Sequence, residues 1–189
     1  MPLPSAGCPQ PIIPPDRCND LFDTAELILS AAWRSIEGFY PDPAGPCGRS
    51  IQTYVSQGEM AFDCCDVLTV HIASLAPRPS SQINNQLKCN PVLDATWVVE
   101  FVEACYPVVD EDGFPSAGEM HEVNRFVYAH GLGLYGGVIS EYMDGTMLGP
   151  DTRCQSLEFG PLLPIEPQGA CTGWFFTMTG VYTPLPIGP

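Results

Sequence analysis

Two adjacent cysteines with a histidine a few residues on are the first place where this chain could do chemistry. Cys64 and Cys65 precede His71 by seven and six residues. Adjacent strands can close such a gap into a thiol–imidazole contact, the pairing of a cysteine nucleophile with its base. The neighbours argue against it. Asp63 and Asp66 flank the pair, and nearby negative charge raises a thiol pKa and keeps the sulfur protonated. Structural cysteines are the expected reading.

A second candidate is Gly131-Leu-Gly133-Leu-Tyr-Gly136, which matches the dinucleotide pattern G-x-G-x-x-G. The motif binds pyrophosphate only where it follows a strand and opens a helix. Here it follows a capped helix, so a helix terminus is expected and not a cofactor site. His121 and His130 lie nine residues apart, off the four-residue spacing of a helical metal pair. The nine cysteines repeat neither a paired C-x-x-C nor a Cys/His array, which leaves structural zinc little support. Buried thiols are expected ahead of disulfides. The sequence contains no G-x-S-x-G, phosphate loop or paired-carboxylate motif. No catalytic, cofactor-binding or metal-ligating residue is singled out, and the chain reads as a non-enzyme with no cofactor.

The elements that would position these residues follow from periodicity. Residues 1–19, with prolines at 2, 4, 9, 12, 14 and 15, read as an extended arm, because proline fixes its own dihedral and donates no backbone hydrogen bond. From Asp20 to Gly38 the pattern is helical. Leu21, Ala25, Ile28, Leu29, Ala32, Trp33 and Ile36 form one stripe, Asn19 or Asp20 caps its start, and Gly38 stands where it would stop. Ile51, Thr53 and Val55 alternate with polar neighbours as a strand does, and Gln57-Gly58-Glu59 is a bend. Leu68, Val70 and Ile72 give the next strand an apolar face, with His71 opposite. A long connection, 77–94, leads to a third strand through Trp97, Val99 and Phe101 to about Tyr106, ending before the Asp110-Glu111-Asp112-Gly113 turn.

Ser116 and Glu119 make a capping box, and Met120, Val123 and Val127 continue one helical face. The four glycines past His130 are poor helix formers, so this helix is expected to weaken there. Gly173–Thr183 is aromatic and β-rich and is expected to close the sheet. The order predicts a single α+β domain over 20–183, an antiparallel or mixed sheet flanked by two main helices, with residues 184–189 as a tail.

Composition narrows the function classes. The 189 residues carry 22 acidic against seven basic side chains, a formal net charge of −15, with Lys88 the only lysine. Such a surface repels phosphate backbones and anionic membranes. No apolar run reaches the roughly 18 residues of a membrane span. The N-terminal MPLPSAGCPQPIIPP lacks the basic start and apolar run of a secretory signal, so a cytoplasmic origin is expected.

Three runs carry a resemblance: CGR with YVSQGEMAFDCCDVLTVHIASLAPR, then VVEFVEACYPVVDEDGFPSAGEM, then EPQGACTGW with TMTGVY. Across roughly residues 45–183 the chain resembles a family of small structural proteins of actinobacterial siphophages, the tail terminators among the head-to-tail connector genes. The Asp63-Cys64-Cys65 corner and the Gly169-Ala-Cys171 turn are its distinctive points; the arm and the stretch Tyr142–Glu166 carry no comparable feature. The resemblance implies a virion protein that assembles in the host bacterial cytoplasm. It would form a homo-oligomeric ring, expected to be a hexamer, capping the tail tube at its head-proximal end and joining it to the neck. Its implied partners are further copies of itself, the major tail tube protein and the head-to-tail stopper or connector protein, with DNA passing the lumen unbound. The −15 charge suits such a lumen, since carboxylates repel phosphates. Another neck protein, such as a stopper or head-completion protein, is the nearest alternative. A secreted, disulfide-stapled binding domain and a cysteine-dependent hydrolase are alternatives of other classes.

Overall fold

The computed structural model describes residues 19–39, 51–56, 66–78, 93–103, 113, 115–148, 154–168 and 171–182. The Pro-rich arm to residue 18, the 57–59 bend, the Cys64–Cys65 corner, residues 110–112 and the 184–189 tail lie outside them.

Within these residues the chain runs α1 (Asn19–Ile36), a 3-10 turn (Glu37–Phe39), β1 (Gln52–Ser56), β2 (Val67–Pro77), β3 (Leu93–Glu103), α2 (Ala117–Met143), β4 (Cys154–Phe159), β5 (Leu163–Gln168) and β6 (Cys171–Tyr182). The strands form one six-stranded sheet in the order β1-β2-β3-β6-β4, with β5 also on β6. β1 is parallel to β2 and the other pairs are antiparallel. The architecture is α+β with a mixed sheet and two helices.

Cross-strand register explains the core. Leu68 pairs with Phe101 and Val70 with Val99; Val99 pairs with Phe176 and Trp97 with Met178. Side chains alternate faces along a strand, so these residues share one side of the sheet, and all seven are fully buried. Both helices cover that side. The α1 stripe delivers Ala25, Ile28, Ala32 and Ile36 to it, and α2 delivers Leu134 and Val138. Ala25, Ala31 and Ala32 of α1 are fully buried. Trp97 Nε1 donates to Leu21 O at 3.4 Å, pinning the first turn. On the opposite face Val67 and Val102 pack with Ile165 and Cys171.

Three expectations are corrected. First, α2 does not weaken or end at the glycines: it runs unbroken to Met143. A Cβ on Gly137 would collide with the Oγ of Ser35 on α1 and stand 3.2 Å from its Cα. A Cβ on Gly131 would meet the indole of Trp174. The glycines permit close packing, which offsets their low propensity. Second, β6 does not close the sheet but lies inside it. The far edge is β4 followed by β5, one antiparallel run along β6 interrupted at Gly160, whose N–H donates to Thr177 O at 2.8 Å. α2 ties down this run: Tyr142 Oη accepts from Leu157 N–H at 2.9 Å, and Tyr135 Oη donates to Gly160 O at 2.8 Å. Third, β3 begins at Leu93, inside the expected 77–94 connection.

Candidate functional site

β3 carries two glutamates in its buried run, Glu100 and Glu103. Three residues apart on a strand, they point to opposite faces. Each meets a histidine. Glu100 Oε2 stands 3.7 Å from Nδ1 of His71, which lies on β2 in the layer opposite the helices. Glu103 faces the helix layer, where its Oε2 and Nδ1 of His130 form a hydrogen bond of 2.9 Å.

The second pair is enclosed, with both side chains 2% exposed. Aromatic rings seal it. The His130 ring lies 3.8 Å from Phe126, 4.9 Å from Phe39 and 6.4 Å from Phe101, centroid to centroid. Phe39 comes from the 3-10 turn after α1 and fits into the notch left by Gly133, where a Cβ would fall 2.6 Å from the ring. Three elements therefore converge on one imidazole, which β3 grips from below.

Chemically, a histidine held at Nδ1 by a carboxylate has its ring orientation fixed, as in many acid–base sites. Here the ring is closed off from solvent, so the pair acts as a polar tie between sheet and helix. Unlike a surface ion pair, it sits where breaking it is costly.

The residues weighed from sequence are dispersed. His71 is buried on β2 beside Glu100, and its proposed cysteine partners lie outside the described residues. His121 is exposed on the first turns of α2 while His130 is buried, so the two histidines do not converge. Gly131, Gly133 and Gly136 are interior positions of α2, which corrects their reading as a helix terminus and leaves no helix N-terminus for a pyrophosphate. Among the described residues no group of three or more His, Cys, Asp or Glu is arranged for a metal. The His130–Glu103 tie was missed; the signal was a glutamate at the end of the apolar run Val98-Val99-Glu100-Phe101-Val102-Glu103.

The cysteines divide. Cys154 on β4 is free and buried, and burial pushes its thiol up to about 11. Cys171 is disulfide-bonded, which corrects the preference for buried thiols at that position; the seven cysteines other than Cys154 and Cys171 lie outside the described residues. Among the described residues no helix is long and apolar enough to cross a membrane. No protein-family model and no curated protein matches the chain.

Proposed function

We propose that this chain is a virion structural protein of a tailed siphophage, a tail terminator that assembles as a ring on the head-proximal end of the tail tube. The observation that carries the reading is the resemblance of the three sequence runs over roughly residues 45–183. The fold agrees in class with what that resemblance implies, a single sheet flanked by helices. The best-built polar constellation, Glu103 with His130, is sealed by phenylalanines and suits a scaffold better than a catalyst. The −15 charge suits a passage through which phosphates must slide without binding.

The test is sedimentation and negative-stain imaging of the purified protein, alone and with assembled tail tube. Closed rings, or caps at one end of the tube, are the expected result. A chain that binds neither tube nor connector overturns the reading, and caps found at a different neck junction favour a stopper or head-completion role.

One observation favours a second reading. The disulfide at Cys171 belongs more naturally to an oxidising environment, as in a secreted, disulfide-stapled binding domain. A virion also leaves the reducing cytoplasm on lysis, so the two readings differ in when the bond forms.

A further inference from the structure

The outer side of α2 is unlike the rest of this acidic chain. Tyr128, Leu132, Gly136 and Ser140 are all exposed, and their four-residue spacing makes them a single ridge along the helix. From Phe126 to Ser140 there is no Asp, Glu, Lys or Arg, and the one histidine, His130, is buried. Tyr128 is 56% exposed and Leu132 50%. Gly136 is the anomaly on this ridge. Its sister glycines face Trp174, Phe39 and Ser35, whereas no described atom lies within 4 Å of a Cβ built on Gly136. Glycine weakens a helix interior relative to alanine, and nothing inside the described fold requires it there. A body approaching from outside would.

We propose that this ridge is a contact between two copies of the chain. The helices run antiparallel about a two-fold axis between Leu132 and Gly136, so that Leu132 of each copy enters the notch at Gly136 of the other. Self-complementarity is what a two-fold contact demands, and here the knob and the notch lie one turn apart on the same ridge. Charge selects a second copy as the occupant. Chains of net charge −15 repel over most of their surface, and this helix face is uncharged at its centre. Nearest the ridge, Arg125 is exposed before it, one turn after the exposed Glu122, and Asp144 is exposed after it, while Glu141 is engaged by Arg34. The antiparallel arrangement sets Arg125 of each copy toward Asp144 of the other. The contact is independent of ring assembly, since a two-fold contact pairs copies and does not close a ring.

The experiment is sedimentation velocity of the full chain over a concentration series, with thermal melts alongside. Wild type is expected to show a reversible dimer. Gly136→Ala should weaken it about tenfold while leaving the monomer equally or more stable, because no described atom lies within 4 Å of the added Cβ. Leu132→Glu should abolish the dimer. Arg125→Glu should weaken it, and adding Asp144→Arg should restore it. A chain monomeric at every concentration overturns the proposal, as does a dimer indifferent to Gly136→Ala and Leu132→Glu. A dimer that persists in those variants, in a chain that still caps tail tube, removes this contact and leaves the ring reading standing. A dimer lost in Gly136→Ala, in a chain that never engages tail tube, does the reverse.

Discussion

Gly131 of α2 and Trp174 of β6 are in direct face contact: a Cβ on Gly131 would fall 2.5 Å from Cδ1 and Nε1 of the indole. The ring is held in place by its own donor, since Trp174 Nε1 donates to Val127 O at 2.8 Å, one turn earlier on the same helix. An interior strand and a long helix are thereby locked in register. Gly131→Ala should destabilise the fold by about 1–3 kcal/mol through overpacking, although alanine is the better helix former. Urea unfolding followed by tryptophan fluorescence measures it. Stability equal to wild type would mean that the indole can slide aside.

The Glu103–His130 bond, 2.9 Å long between side chains 2% exposed, sets up a double-mutant cycle. Glu103→Leu alone or His130→Leu alone takes this bond from a buried polar group and should cost about 1–3 kcal/mol. The double replacement removes both polar groups and should recover most of that loss. Equilibrium denaturation of the four proteins gives the coupling. Additive losses would show that the two side chains do not act as a pair.

How much of this was legible in the sequence depends on whether the controlling contacts were local. The α1 stripe from Leu21 to Ile36 and the Ser116–Glu119 box were readable, because three- and four-residue spacing and a reciprocal cap are local signals. The cap is present as read, with Glu119 N–H donating to Ser116 Oγ at 3.2 Å and Ser116 N–H to Glu119 Oε2 at 2.7 Å. The course of α2 past His130 was not readable. Propensity counts four glycines against a helix, whereas Trp174 and Ser35, distant in sequence, make three-dimensional sense of Gly131 and Gly137. The far sheet edge escaped for the opposite reason. β5 reads Leu-Pro-Ile-Glu-Pro-Gln, and prolines argue against a strand except at an edge. They sit at an edge here, where they also deny an incoming strand its donors. The Glu103–His130 tie joins residues 27 apart, and no periodicity reports such a pairing.

Cys154 gives a prediction on the alkaline side. Burial raises its thiol from 9.0 to about 11, so the folded chain holds this proton more tightly than the unfolded one. The stability that follows is fully present below pH 9 and is lost as pH rises from there through about 11. Cys154→Val keeps a small buried apolar group and removes the proton. Its alkaline loss of stability should be shallower than that of wild type, measured as urea midpoints across that pH window. Parallel profiles would show that the thiol does not titrate on unfolding. In the native state at neutral pH the protonated, buried sulfur should also resist iodoacetamide.

The remaining cysteines offer a count that bears on the choice between functions. Of nine cysteines, Cys171 and its partner are joined, so the unfolded, unreduced chain should expose at most seven thiols, and all nine only after reduction. Thiol titration in guanidinium, with and without prior reductant, reads this directly. The timing of the bond separates the readings. A virion protein assembled in a reducing cytoplasm should yield nine thiols when its cysteines are trapped by alkylating reagent at the moment of lysis, and fewer once particles have stood in air. A secreted binding domain should have the bond whenever it is isolated, and lose thermal stability on reduction. Nine thiols in protein aged in air would remove the disulfide at Cys171, and with it the one observation that favours secretion.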